Sequence, residues 1–292
     1  MNGKLIGIVI LIIVAGGLFI PIGSSGNNGN NSIAVTYGET TYNNNAYKQM
    51  VDEYFENNGH ISLKDADEKI ITSNDVNRIS SGISQRTYTS DQIFSCAMVD
   101  LSSNNNIDID VDSKITTVTP SMYKSALDSA GIKKGHVIVT SPVTATGESA
   151  LAGIMKAYET ATGQLIPEEV KNAANNEIYT QSEVVNNTNL SADDVANLVD
   201  EAKEEVAKEN TTDKQTIINI VNNIASNNNI QISGNDINNL ADSIQQTQSV
   251  QDQANNYQNE VSEYINSDRA KSIFDMIWST IQSILNGRIP QG

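Results

Sequence analysis

Four groups of residues have the types and spacing to do chemistry. The first is Asp108-x-Asp110-x-Asp112, which looks like the opening of a calcium-binding loop. A hard cation wants several oxygen ligands, and carboxylates two residues apart could supply them. The glycine that bends such a loop is missing, since Ser113 follows Asp112 directly, and the twelfth position is Thr119 instead of Glu. Ile107, Ile109 and Val111 alternate with the three Asp, which is the period of a half-buried strand. The three carboxylates are therefore expected on one solvated face. The second group is the strand-loop-helix stretch 137–149 (VIVTSPVTATGES). Phosphate-binding loops share this topology. Here the G-x-x-x-x-G-K-[ST] pattern is absent, a single Gly stands where a dinucleotide site wants three, and Glu148 would repel phosphate at the helix start. Thr146 is expected to cap that helix.

The third is His136, at the start of a strand after Lys133-Lys134-Gly135. No second His, Cys or carboxylate pair stands near it in sequence, so a turn or strand-edge role is expected. The fourth is Cys96, inside the apolar run 93–99 (IFSCAMV). It reads as a small core residue. A nucleophilic thiolate would want a basic partner, and the chain offers only His60 and His136. These groups supply no catalytic, cofactor-binding or metal-binding assignment, and no cofactor is expected.

The elements that must position these residues follow from apolar periodicity. Residues 33–37 read as a strand, 45–58 as a helix with one apolar stripe stopped by Gly59, 68–72 as a second strand, and 73–79 as a short helix. Strands follow at 92–101 and 107–112. Pro120 opens a helix whose stripe is Met122, Tyr123, Ala126, Leu127 and Ala130, closed by Gly131. A strand at 136–140 and a helix at 147–160 complete the order β-α-β-α-β-β-α-β-α, that of one sheet covered by helices.

The second half reads as helical and acidic. From Gly163 on, 19 acidic and 7 basic residues give a net −12. Ser191 and Ser233 are N-cap residues, each with Asp three positions on and flanking apolar residues as a staple. Thr212-Asp213-Lys214-Gln215 reads as a capping box, and Pro167-Glu168-Glu169 as a helix start with acids favouring the dipole. Helices are expected at 167–177, 191–208, 212–227, 234–246, 250–266 and 268–286, a small bundle. The last carries Ala270, Ile273, Phe274, Ile277, Trp278, Ile281, Ile284 and Leu285 on one face. That face either docks on the bundle or meets a membrane or partner.

Residues 5–20 (LIGIVILIIVAGGLFI) hold no polar side chain, and Pro21 and Ile22 extend the run. A spanning helix needs about 20 apolar residues and a signal-peptide core roughly 7 to 15. The run lies between these and leans towards a retained anchor, with cleavage as the alternative, the small residues Gly23 and Ser25 occupying the −3 and −1 positions. Lys4 is the only side-chain cation before it, and none follows until Lys48, so the positive-inside rule places the remainder outside the cell. Residues 23–32 (GSSGNNGNNS) form a polar linker.

The whole chain has 292 residues, 35 acidic and 18 basic, for a net charge of −17. That balance argues against nucleic acid as partner, because phosphate binding needs a cationic face. One Cys allows no internal disulfide. Sequons stand at Asn30, Asn186, Asn189 and Asn210, no more than chance supplies in so Asn-rich a chain.

Residues 119–132 (TPSMYKSALDSAGI), 137–142 (VIVTSP) and 147–159 (GESALAGIMKAYE) together resemble the YpuA-like family, domain of unknown function 1002. The resemblance spans roughly residues 33 to 285 and is densest over 119–159. It implies an exported protein with an α/β part followed by a helical part. It implies no activity, so no site residue is carried over. The chain departs from that pattern in its long Asn-rich linker and the lack of an obvious cleavage site.

The expected fold class is α+β or α/β. An N-terminal membrane helix or signal (1–22) and the linker (23–32) precede a mixed α/β domain with a helix-covered sheet (33–162) and an all-α helical region (163–288). Three functional readings follow. The first is a non-catalytic envelope protein, held at the membrane through residues 5–22 and binding an extracellular protein or cell-wall polymer. The second is an extracellular hydrolase using a carboxylate pair brought together by folding. The third is a calcium-stabilised surface module.

Overall fold

The structure, a computed structural model, describes residues 32–80, 87–102 and 105–266. The apolar run 5–22, linker residues 23–31 including Asn30, and the helix expected at 268–286 lie outside these residues. Among the described residues no helix is long and apolar enough to cross a membrane.

The α/β part is built on a five-stranded sheet in the order β2-β1-β3-β5-β4. Its strands are β1 (Ile33–Gly38), β2 (Asp67–Ile71), β3 (Cys96–Asp100), β4 (Asp108–Val111) and β5 (His136–Thr140). β1 pairs β2 and β4 pairs β5 in parallel, while β3 runs antiparallel to β1 and β5 in the centre. Each parallel pair is joined by a helical crossover, as parallel strands require. The helices of this part are α1 (Glu39–Tyr42), α2 (Asn45–Gly59), α3 (Ser73–Ser80), α4 (Pro120–Ser129) and α5 (Glu148–Thr162).

Strand alternation divides the apolar residues between two faces. Val35, Tyr37, Cys96, Met98 and Ile138 pack with Val51 and Phe55 of α2. Ala34, Ala97, Val99, Val137 and Val139 pack with Leu151, Ile154 and Met155 of α5. The central strands are thus covered on both sides, which explains why 137–139 is continuously apolar.

Five further helices follow: α6 (Glu168–Asn187), α7 (Ala192–Glu209), α8 (Lys214–Asn227), α9 (Gly234–Ser249) and α10 (Gln251–Asn266). Val195, Leu198, Val199 and Val206 of α7 form a core with Ile217 and Val221 of α8 and Leu240 and Ile244 of α9. Ala173, Ala174 and Ile178 of α6, with Ala254, Tyr257 and Val261 of α10, instead join the core that α5 shares with the sheet. The chain is a mixed α/β fold with a five-stranded sheet and many helices.

Local signals set several of the helix ends. Ser191 accepts the Asp194 N–H while the Asp194 carboxylate accepts from the Ser191 backbone, a complete capping box. Ser233 accepts from Asp236 N–H in the same way. Four expectations need correction. Thr212 does not cap α8; Asp213 does, accepting from the Thr216 N–H. Thr146 does not cap α5 with its side chain; Gly147 holds the N-cap position in a left-handed conformation (φ +107°). The helix after Asn45 is stopped not by Gly59 but by His60, which takes the left-handed conformation at φ +51°. The helix begun at Glu168 continues past residue 177 to Asn187, although 178–187 is rich in β-branched residues. There Ile178 and Val184 are buried against neighbouring helices, and tertiary packing overrides local propensity.

Gly131, after α4, shows how tightly the two parts meet. Its φ is +74°, and a Cβ there would lie 2.1 Å from the Ala254 carbonyl oxygen of α10. Gly131→Ala is expected to destabilise the chain by about 1–3 kcal/mol from backbone strain alone, with the clash adding to it. Urea unfolding of the variant measures this, and an unchanged midpoint would contradict the close approach.

Candidate functional site

A buried polar cluster lies where α4 meets α6, α7 and α9. Glu177 of α6 is 1% exposed, an environment that a carboxylate tolerates only when it is paired and hydrogen-bonded. Its Oε1 accepts from Ser125 Oγ at 2.6 Å, Lys203 Nζ at 2.9 Å and Gln181 Nε2 at 3.2 Å. Its Oε2 accepts from Ser129 Oγ at 2.6 Å and Thr247 Oγ1 at 3.3 Å. Ser125 and Ser129 lie one turn apart on α4, so both hydroxyls face the same carboxylate.

Lys203 of α7 completes the cluster. Its Nζ lies within 3.1 Å of Ser125 O, Ser125 Oγ, Ser129 Oγ, Glu177 Oε1 and Asp200 Oδ1. An ammonium has three hydrogens, so these oxygens already saturate it. Burial alone would lower the lysine pKa, but the carboxylates of Glu177 and Asp200 outweigh it and hold the pKa above the ordinary value. The pairing favours the charged form of Lys203.

A serine beside a lysine is the arrangement of some covalent hydrolases, and the Ser125–Lys203 distance of 2.8 Å is short enough. The neighbouring carboxylates argue against it. A serine is activated when the lysine is neutral and takes its proton, whereas Glu177 and Asp200 both lie beside Lys203 and favour its charged form, and both stand 2.6 Å from Ser125 Oγ, where either can accept the serine proton. The cluster ties four helices together.

Folding also brings two carboxylates towards each other. Glu177 and Asp200 both stand 2.6 Å from Ser125 Oγ. Lys203 bridges the same two groups. A glycosidase pair needs open space between its carboxyls for a scissile bond or a water, and here an ammonium fills it.

Above the cluster opens a cleft of about 290 Å³. It is lined by Lys124 and Asp128 of α4, Lys133 of the α4–β5 loop, and Asp200, Lys203 and Glu204 of α7. Side chains of α9 and α10 complete the lining.

The residues that stood out in the sequence are not gathered in this cleft. Asp108 and Asp110 are exposed on edge strand β4, but Asp112 is buried, which corrects the expectation of one solvated face. It lies just past the strand, where Oδ2 accepts from Thr140 Oγ1 at 2.5 Å and Oδ1 from the Lys114 N–H at 3.0 Å. Among the described residues no group of three metal-ligating side chains could hold an ion. His136 begins β5 beside the sheet edge and meets Asp110 Oδ2 at 2.9 Å. In the 141–147 loop Tyr123 donates to the Gly147 carbonyl at 2.6 Å, and the Thr146 carbonyl accepts from Val118 N–H. The loop is tied to its own scaffold.

Cys96 is buried in the sheet, and burial pushes its thiol up to about 12. Native protein is therefore expected to resist a maleimide at neutral pH, with full labelling only after unfolding. Rapid labelling of the folded chain, followed by mass spectrometry, would contradict this.

The family described as "Protein of unknown function (DUF1002)" matches residues 37–264. The chain is 32% identical over 185 residues to "Uncharacterized protein YpuA" of Bacillus subtilis (strain 168), an alignment covering 58% of this chain and 63% of that relative. The chain thus spans somewhat less than two thirds of the length of the curated relative it matches. No solved structure matches the chain.

Proposed function

Because the chain belongs to the DUF1002 family of proteins of unknown function, we propose, from its own residues, that it is a non-catalytic binding module. One observation carries this reading. Where folding assembles Ser125, Lys203 and two carboxylates, the lysine is paired with both Glu177 and Asp200, which disfavours the neutral amine a nucleophilic serine would need. The polar groups there support helix packing, and the cleft above them offers side chains for recognition. The hydrolase reading rests on Glu177 and Asp200, and Lys203 between them argues against it. The calcium reading rested on Asp108, Asp110 and Asp112, and the diversion of Asp112 into Thr140 and the backbone argues against that.

The apolar run 5–22 and the cation-free stretch after it support a location outside the cell, with the body held at the membrane by that run. Release after cleavage is the alternative. A cell-wall polymer or an extracellular protein is the partner class this location supports.

Two measurements test the proposal. An activity-based fluorophosphonate probe is expected to leave the purified full-length chain unlabelled, and labelling at Ser125 would overturn the non-catalytic reading. In intact cells, a periplasm- or surface-active reporter fused after Gly292 is expected to be active and to sediment with membranes. Activity only in the cytosolic compartment would overturn the location.

A further inference from the structure

We propose that the cleft between α4, α7, α9 and α10 binds a short zwitterionic peptide, its carboxylate on Lys133 and its ammonium on Glu204. This rests on the reading of the chain as a binding module and adds the chemical class of ligand.

The charge of the cleft sets it apart from the rest of the molecule. In a chain of net charge −17, three lysines here face three carboxylates. Most are already committed. Lys124 pairs with Asp128, and Lys203 with Asp200 and Glu177. Lys133 and Glu204 are different, since neither side chain has a hydrogen-bond or ion-pair partner among the described residues. They are a cation and an anion unpaired among the described residues, on two different elements lining one cleft, and both are exposed to an incoming ligand.

The remaining lining selects among ligands. Gln248, Gln251 and Asn255 carry amides, which both donate and accept as a peptide group requires. Ala207, Ile244 and Ala254 offer a small apolar surface suited to a short side chain. No aromatic ring lines the cleft, so it lacks the flat platform on which bases stack. No arginine lines it either, and a phosphate would meet the carboxylates of Asp128, Asp200 and Glu204. The volume of about 290 Å³ sits at the lower end for small-molecule sites, which favours a ligand of two residues or so.

Calorimetric titration of the full-length chain at low salt tests this with dialanine, N-acetyl-dialanine and dialanine amide. Dialanine is expected to bind saturably, and blocking either end to weaken binding about five-fold, the scale of an exposed ion pair. Lys133→Ala should bind dialanine and its amide equally, and Glu204→Gln should bind dialanine and its N-acetyl form equally. Both residues are exposed, so the variants should keep the wild-type circular dichroism. Absence of dialanine binding, equal binding of a blocked form by the wild type, or retained discrimination in either variant would overturn the proposal. Those results leave the binding-module reading standing. Release of free alanine during the titration would overturn both.

Discussion

Lys203→Met is expected to lower the stability of the chain by about 3–5 kcal/mol. Glu177 is 1% exposed on its side chain and Lys203 17%, so solvent screens the pair little. Without the ammonium, a buried carboxylate keeps only hydroxyl and amide donors from Ser125, Ser129, Thr247 and Gln181. Those are too few to offset its lost hydration. For a chain of this size the loss corresponds to a fall in Tm on the order of 10 °C. Glu177→Gln should cost less, because Asp200 still pairs Lys203 and the amide still fits the hydroxyls. The double variant should recover part of the Lys203→Met loss, with a coupling of about 1–3 kcal/mol. A Lys203→Met variant within about 0.5 kcal/mol of wild type would mean that the cluster contributes no more than a surface contact.

The second large effect is loss of stability in alkali. Burial raises the pKa of Tyr37, Tyr123, Tyr158 and Tyr257 above the tyrosine value of 10.0. The Glu177 and Asp200 carboxylates, against the opposing effect of burial, raise Lys203 above 10.5. All five shifts act in one direction. A group whose pKa is higher in the folded state contributes stability that is complete below its unfolded pKa. Above that value the unfolded chain gives up its proton first, and the contribution falls until the folded pKa is passed.

From these groups no loss is expected between pH 7 and about 9, followed by a steep decline above about 10. Each costs about 1.4 kcal/mol per pH unit once past its unfolded value. Four tyrosines together then lose about 5.6 kcal/mol at about one unit above it, an amount comparable with the whole stability of many domains. Urea midpoints across this range, followed alongside tyrosinate absorbance, measure the effect. The buried tyrosines should ionise only as the chain unfolds. Ionisation of all ten tyrosines near pH 10 with the fold intact would contradict their burial.

What could be read from the sequence was set by the range of the interactions involved. Ser191 and Ser233 act on N–H groups three residues away, so their caps are visible in a few letters. The sheet strands were legible because 137–139 must be apolar on both faces and 107–111 on one. Residues 178–187 were misread because their helical state depends on surfaces that Ile178 and Val184 meet only after folding. Asp112 follows the alternation of Asp108 and Asp110 in sequence but lies just beyond β4, where the chain turns and Thr140 captures it. The cluster itself left no motif. Ser125 and Lys203 are 78 positions apart, and Glu177 lies between them on another helix. Only the packing of α4 against α6 and α7 brings them together.

The ionisation of Lys203 is the direct test of the central claim. Nitrogen-15 NMR of the lysine side chains, assigned with Lys203→Arg, reports whether Nζ carries three protons and at what pH it loses one. A protected ammonium signal that persists from pH 7 to beyond about 10 is the expected result. A Lys203 amine that is neutral near pH 7 would contradict the account, because Ser125 would then have a base beside it and the cluster would be equipped for catalysis.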